Sequence, residues 1–469
     1  MSARPPPPRA SAPARFVTGS LLRHVVVMSG SGAIGLLAMF AVDLINMIYI
    51  AHLPDRREMA AIGFAATVGF FQQALSIGLT VGVVASVARA LGARRRGRAR
   101  RIAASGTVAM VAASIAVAAL TIALRRPALH LLGAQGVVAD HAARFLLETA
   151  CGLPGMYLGM LGSGLLRCAG DARRSMTNAL AGAATSALLD PLLIYGLGPW
   201  SGWGLDGAAA STVLSRSLVA WLGMGGALGV HHLVGRPRAG RLRGDLRQIG
   251  VVAGPAIATN LATPFGTAVT THVMARFGVA AVAGQVTIDR ISIFAFGFVY
   301  ALTGAVGPII GQNLGAGRPE RVRGTLRASF AVTITWVLGA WALLAAGCPL
   351  VLRAFSASGE TAALIALFCH WLAGSFIFTG SLFVANAAFN NLGRPMLATA
   401  FNWGRATLGT VPFVLLGAQW GGAPAVLVGQ GVGATLFGIA AGAVALNLAG
   451  RLHDGRTQGG DPQHAGVRV

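Results

Sequence analysis

The sequence predicts an all-α polytopic membrane protein of twelve transmembrane helices in two pseudo-symmetric six-helix lobes. Three observations carry that prediction. The 469-residue chain is 55% hydrophobic and only 11% charged, with mean hydropathy +0.67, whereas soluble domains are about 25% charged. Apolar runs of about 20 residues, long enough to cross a bilayer, recur along its whole length. Segments of the first half also recur in the second at a nearly fixed offset.

Taken in order, residues 1–20 (MSARPPPPRASAPARFVTGS) are rich in Pro, Ala and Arg and read as a disordered arm. The apolar run from Val25 is too long for a signal-peptide core, and many more follow it. The first span, about 24–52, holds Asp43 within FAVDLINMIYIAHL. The second, 61–91, runs into the basic loop ARRRGRARR (93–101), and the third, 102–124, ends at Arg125 and Arg126. The fourth, 142–168, carries Arg144 and Glu148 one turn apart, a spacing that suits an ion pair. Gly155 and Gly159 in the same span suit close helix contact. The fifth, 176–197, holds Asp190, and the sixth, 207–230, holds Arg216; these close a first lobe of residues 21–230. A basic linker, 231–248, leads to a second lobe, 249–450. Its spans are 249–274, 280–311 with Asp289, 326–352, 362–388 with His370, 395–418 and 423–449, the last carrying Gly429 and Gly433. A polar tail, 451–469, ends the chain.

The repeat is specific. Leu91-Gly92-Ala93 corresponds to Leu314-Gly315-Ala316, and Gly170 to Gly393, both at an offset of 223; Pro191 to Pro412 and Gly196 to Gly417 give 221. Six spans per half leave both halves in the same orientation, with a pseudo-twofold along the membrane normal, an arrangement that suits a transporter with a central cavity.

The net charge of +23 would suit nucleic acid, but all 37 basic residues are Arg and most lie between apolar runs. With the N-terminus inside, the arm, the tail and alternate loops hold 26 arginines against six on the other side. That bias places both termini in the cytoplasm of a cell inner membrane. No nucleic-acid partner is expected, because no soluble domain exists to dock a groove. Cys151, Cys168, Cys348 and Cys369 are scattered, without metal spacing, and read as reduced packing residues. GSGAIG (30–35) matches a dinucleotide fingerprint only formally, since it lies inside the first span with no preceding strand. With no Walker A and no catalytic cluster, the chain does not read as an enzyme, and neither cofactor nor metal is expected.

Of fourteen acids, four fall within spans: Asp43, Glu148, Asp190 and Asp289. A carboxylate in hydrocarbon costs roughly 2.5–3.5 kcal/mol on insertion scales, so each is a functional candidate. Glu148 has Arg144 as a structural partner, and Asp289 has Arg290 beside it. Asp43 and Asp190 have no basic residue within a turn, so each needs a distant partner, a proton or a bound cation. Asn46, Ser186, Thr212, Asn260, Gln285, His370 and Asn386 are candidate cavity residues, with interhelical hydrogen bonding as the competing role.

These pieces together resemble the multidrug and toxic compound extrusion (MATE) family across residues 24–450. VDLINMI (42–48), LLRCAGD (165–171), LLDPLLIYGLGPWSGWGLDGAAASTVLS (188–215), GQNLGAGRPERV (311–322) and FNNLGRP (389–395) carry the resemblance. It implies an antiporter that exports organic, often cationic, compounds by rocking two lobes. It assigns Asp43 and Asp190 to the coupling site of the proton-driven branch, with Asp289 near a further acid of bacterial members. Ser186 stands where the fifth-span motif often has Asn, Leu44 where a small residue is usual, and Gly30-Ser31 where a proline is common. The absence of an acid from 249–274 and 362–388 implies H+ rather than Na+ as the coupling ion. The expected partners are small organic substrates and the bilayer, and the expected state is a monomer. A lipid-linked oligosaccharide flippase, kept open by the in-span Arg144, Arg216, Arg290 and Arg405, and a non-transporting receptor or enzyme are the alternatives.

Overall fold

A computed structural model describes residues 14–51, 56–197 and 200–453. The first half folds as α1 (Leu21–Ala51), α2 (Arg56–Gly92), α3 (Arg96–Leu131), α4 (Gly136–Ala150), α5 (Leu153–Ala169), α6 (Ala172–Tyr195) and α7 (Leu205–Gly225). A two-residue ladder of β1 (Gly196–Leu197) and β2 (Trp200–Ser201) links α6 to α7. The second half folds as α8 (Ala239–Met274), α9 (Val279–Gly315), α10 (Pro319–Ala346), α11 (Cys348–Ala354), α12 (Gly359–Leu367), α13 (Phe376–Asn391), α14 (Pro395–Ala406) and α15 (Val411–His453).

Among the described residues, nine stretches are long and apolar enough to cross a membrane. One of them, Pro395–Leu452, holds two passes, parted by the kink at Gly421 and Gly422. The fourth pass is α4 with α5 and the fifth is α6, which completes twelve helical passes in two lobes. Large apolar side chains lie on the outer surface, including Trp221 (72% exposed), Leu343 (76%) and Trp420 (82%). Such a surface is stable against lipid and not against water.

The repeat extends further than the sequence alone indicates. Left-handed backbone recurs at Arg94 and Gly317 (φ 57° and 67°), Gly133 and Ser356 (92° and 46°), Gly136 and Gly359 (56° and 55°), and Gly170 and Gly393 (78° and 77°). Every one of these pairs keeps the offset that relates Gly92 to Gly315. The helix starts at Arg96 and Pro319, Gly136 and Gly359, and Ala172 and Pro395 keep the same offset. The fourth pass breaks at Cys151–Gly152, and the tenth breaks at the corresponding 3-10 turn Ala373–Ser375.

The halves meet where α1 packs on α9 and α2 packs on both α8 and α9. At the arginine-rich ends of α2 and α9 the contact is reciprocal. A Cβ on Gly92 would overlap the Gln312 carbonyl, and one on Gly315 would overlap the Arg89 carbonyl. Arg89 and Gln312 are themselves repeat counterparts at that offset, so the pseudo-twofold passes through this crossing. Only glycine lets the two backbones approach so closely.

Two expectations need correction. The arm expected to be disordered over 1–20 is structured from Ala14, and residues 1–13 lie outside the described residues. Phe16 and Val17 are buried at the end of the crossing (1% and 6% exposed). The Phe16 N–H donates to Gln312 Oε1 (3.0 Å), and its carbonyl accepts from Arg321 Nη2 (3.1 Å) and Asn313 Nδ2 (3.2 Å). Arg318 Nη1 donates to the Val17 carbonyl (2.9 Å). Gln312 Nε2 also donates to the Cys168 carbonyl at the end of α5 (2.6 Å), so one side chain ties arm, first half and second half together.

The linker expected over 231–248 is helical from Ala239 and is pinned to the first half. Arg101 makes a bidentate pair with buried Asp245 (3.0 and 3.1 Å), Ser105 Oγ donates to the same carboxylate (3.0 Å), and Arg98 reaches Gln248 (3.1 Å). Of the tail, Arg451–His453 continue α15 and residues 454–469 lie outside the described residues. The cysteines are free, with Cys168, Cys348 and Cys369 buried and Cys151 exposed.

Candidate functional site

α1 and α6 both start at the arginine-rich end and pack along one another. Asp43 on α1 and Asp190 on α6 therefore rise together from that end. Asp190 is buried (3% exposed) and lies beside the Ser211 hydroxyl of α7 and the Asn46 amide, one turn from Asp43. Asp43 is itself open, yet close enough to act electrostatically on Asp190. Asp190 Oδ2, Ser211 Oγ and Asn46 Oδ1 are all buried, and among the described residues none has a hydrogen-bond partner of normal geometry. Orphaned polar atoms inside a membrane protein are costly. Ser211 and Asn46 face the Asp190 carboxylate, and with Asp43 nearby they form a polar socket.

The local sequence explains the socket. Pro191 follows Asp190 inside α6 and lacks the N–H that would bond the Ala187 carbonyl, which loosens the helix on the site's own turn. Beyond it, the Trp203 and Gly204 N–H groups donate to the Leu193 and Ile194 carbonyls (2.8 and 3.1 Å), capping α6. Gly207 packs directly on the Leu193 carbonyl and so holds α7, with Ser211 one turn on, against α6. Further from the arginine-rich end, Tyr195 Oη donates to the Tyr49 carbonyl and the two rings meet edge to face (centroids 6.2 Å), closing α1 onto α6 beyond the acids.

A second polar group sits on α9. Gln285 Nε2 donates to Asp289 Oδ1 (3.0 Å), and Gln285 Oε1 is buried without a partner among the described residues. Tyr300, three turns on, lies within electrostatic reach of both Asp289 and Arg405 of α14, whose Nε is also buried and has no partner among the described residues. Between Asp289 and Tyr300 the helix kinks at Phe296 (φ −113°, ψ 16°). Trp336 Nε1 takes up the Ala295 carbonyl at the kink (3.2 Å), and Phe296 stacks on Phe376 (4.1 Å).

The remaining candidates divide. Ser186 is half-buried one turn before Asp190. Thr212 and Asn260 bond carbonyls of their own helices, Ala208 (2.9 Å) and Ala256 (2.7 Å). Asn386 accepts from Asn402 Nδ2 (2.9 Å), an interhelical bond joining α13 to α14. His370 is exposed, with Nδ1 donating to the Ala366 carbonyl (2.8 Å), and belongs to neither polar group. Glu148 pairs with Arg144 (3.2 Å) as its spacing suggests, and Arg144 also holds Asp206 at the start of α7 (2.5 Å). Arg216 reaches the Thr149 carbonyl only at 3.5 Å. Ser211, Tyr195 and Tyr300 escaped the sequence reading. Ser211 lies in the small-residue run GAAAST, which reads as packing, and a tyrosine in a span reads as core.

The chain matches the MatE family over residues 33–192 and 255–416. The FAD transporter of Shewanella oneidensis is 27% identical over 422 residues, covering 89% of this chain and 93% of that protein. The probable multidrug resistance protein NorM of Thermotoga maritima is 23% identical over 287 residues, 59% of this chain and 60% of that one. Among solved structures, a Vibrio cholerae MATE transporter, VcmN, superposes with a TM-score of 0.87 at 23% identity, covering 92% of this chain and 97% of its own.

Proposed function

The chain belongs to the MATE family of efflux transporters, and from that premise we propose that it is a proton-coupled antiporter whose coupling site is the carboxylate socket of Asp43 and Asp190. It is a transporter of small organic molecules and not an enzyme, and these relatives lend no support to a flippase or a receptor. The observation that carries the coupling role is the buried Asp190 facing Ser211, Asn46 and Asp43 while three oxygens at that point lack partners of normal geometry among the described residues.

In this reading the ionised pair holds an organic cation, and protons arriving from outside neutralise the pair and release it. The two states differ in affinity for the same ligand, and that difference is what lets the ion gradient bias the conformations. A membrane potential adds about 2.3 kcal/mol per charge per 100 mV. The arginine-rich side faces the cytoplasm of the inner membrane, following the arginine bias. In this conformation the Gly92–Gly315 crossing and the arm close that side. Asp289 with Gln285 serves as a second polar contact in the other lobe.

One second reading has an observation behind it. The Shewanella relative aligned over nearly its whole length carries the name FAD transporter, which favours an anionic dinucleotide substrate. The deciding experiment is export from pump-deficient cells across cationic dyes and FAD, under a proton and then a sodium gradient, with Asp43→Asn alongside. Undiminished proton-driven efflux by that variant sinks the coupling role, and selective export of FAD sinks the cationic assignment.

A further inference from the structure

A cavity of about 200 Å³ sits in the closed seam, lined by Arg15, Arg94, Arg96, His231, Cys168 and Gln312. Its walls come from three places: Arg15 from the arm, Arg94, Arg96, Cys168 and His231 from the first half and linker, and Gln312 from the second half. Arg96 is occupied, donating to the His231 carbonyl (2.9 Å), and the His231 ring meets Asp171 (2.9 Å). Asp171 is shared with Arg174 (2.8 Å) and leaves no negative charge for the cavity. Arg15, Arg94 and Arg96 are exposed at the mouth of the cavity, and among the described residues the guanidinium groups of Arg15 and Arg94 make no hydrogen bond or ion pair. Both polar ends of the Gln312 amide are already taken, by the Phe16 N–H and the Cys168 carbonyl.

The backbone adds an independent observation. Arg94 adopts left-handed φ (57°), and its repeat counterpart is Gly317 (φ 67°). Glycine makes that turn freely, whereas an arginine is strained there. One half of the repeat thus keeps a strained arginine where the other keeps the relaxed solution, and that arginine lines the cavity. Residual strain of this kind marks sites with a task.

We propose that this cavity binds a phosphate-bearing anion, and that the bound anion holds the arginine-rich seam closed. Guanidinium groups present paired N–H donors matched to phosphate oxygens. Pockets for drug-sized ligands begin at roughly 300 Å³, and this cavity is smaller, so it takes a phosphate or pyrophosphate group and not a whole dinucleotide. Arg15 is fixed to the second half through the Phe16 and Val17 bonds, while Arg94 belongs to the first. An anion touching both is bound only while the halves are together, and linkage makes it stabilise that state. The inference concerns the seam and stands whether or not Asp43 and Asp190 carry protons.

The Cys168 thiol packs on the Val84 carbonyl inside the first half, so the readout is a cysteine at its neighbour Ala169, which lines the cavity and is half-buried: the thiol of an Ala169→Cys variant is covered when the seam closes on a bound anion. In a Cys151→Ser background the full-length Ala169→Cys variant, in phosphatidylcholine vesicles, is alkylated with a small maleimide at constant ionic strength with and without sodium pyrophosphate. At ten times its dissociation constant pyrophosphate should slow labelling of the Ala169→Cys variant about tenfold. Arg94→Gly copies the turn at Gly317 and keeps the fold, yet should lose that protection, as should Arg15→Gln. Protection in phosphatidylcholine alone assigns a soluble phosphate. Protection that appears only with added phosphatidylglycerol assigns a lipid headgroup to the same site. Equal slowing in Arg94→Gly, or no slowing in the parent under either condition, overturns the proposal.

Discussion

The Gly92–Gly315 crossing makes the most exacting prediction. In Gly92→Ala the new Cβ meets the Gln312 carbonyl and lies 2.7 Å from the Gln312 Cα. In Gly315→Ala it meets the Arg89 carbonyl, with the carbonyl carbon 2.9 Å away. Carbon atoms in contact prefer about 3.5–4.0 Å, so the backbones must part by about 1 Å. Overpacking of this kind costs roughly 1–3 kcal/mol. A helix cannot shift as a side chain can, so about 2 kcal/mol is reasonable, a factor of about 30 in population. The cost falls only where α2 and α9 touch, so each variant should favour the open seam without lowering global stability. Because both substitutions load the same crossing, the second adds little once the first has parted the helices. Alkylation of an Ala169→Cys variant in the Cys151→Ser background should therefore rise by up to about 30-fold in either single variant, and in the double variant far less than the product of the two. A silent Gly315→Ala beside an active Gly92→Ala, or full multiplication in the double, would refute the reciprocal crossing.

Other outcomes follow from single contacts. Asp190→Asn should abolish proton-driven efflux while leaving thermal stability within about 1 kcal/mol, because the carboxylate has few partners to lose; Ser211→Ala should weaken transport by a smaller factor in the same vesicle assay. Asp245→Asn breaks the bidentate pair with Arg101, which is 25% exposed. Its cost should fall near or below the roughly 3–5 kcal/mol of a fully buried pair, read as a lower melting temperature of the purified protein. Burial pushes the Asp171 carboxyl up, but the His231 ring and the Arg174 N–H and guanidinium outweigh it and hold the group below the usual carboxylate range. A group lowered by folding contributes stability that is complete above its unfolded value, about 3.9, and is lost as pH falls through the folded value. Hydrogen exchange of residues 231–238, corrected for intrinsic rate, should therefore rise below about pH 4, and Asp171→Asn should raise it at neutral pH.

Much of this was legible in sequence, for identifiable reasons. Span number follows from apolar length, and the repeat from glycines whose backbone must be left-handed. Gly170, matched to Gly393 in the repeat, ends α5 in left-handed backbone, and Asp171 after it caps α6 by accepting from the Arg174 N–H (3.1 Å). The pairs Gly133–Ser356 and Arg94–Gly317 were hidden because only one partner of each is glycine, so identity fails where conformation persists. The order of Ala14–Ser20 was hidden for a different reason. A Pro- and Ala-rich arm has no local cause to be structured, and its bonds go to Gln312, Asn313, Arg318 and Arg321, in the other half of the chain. The acid pair was visible because charge in an apolar run is conspicuous, whereas its companion Ser211 has no such signature.

The symmetry of the scaffold sets off an asymmetry in its chemistry. Val411 stands where the repeat would place a partner for Asp190, at the offset that relates Pro191 to Pro412. Asp289 and Gln285 look back, at the offset that relates Gly315 to Gly92, to Ala66 and Ile62. Each half thus keeps the fold of the other and drops its polar group. A seam that opens and closes about a twofold axis needs matched halves, because both must move by the same amount. A binding site read by that motion gains from unmatched halves, because a ligand then meets different partners from each lobe. Matched glycines at the crossing and unmatched carboxylates in the lobes suit the rocking carrier proposed above. Moving the acid tests the division: Val411→Asp on Asp190→Asn should not restore proton-driven efflux, because no counterpart of Asp43, Asn46 and Ser211 surrounds it. Restored efflux would mean that the two lobes are interchangeable in chemistry as well as in fold.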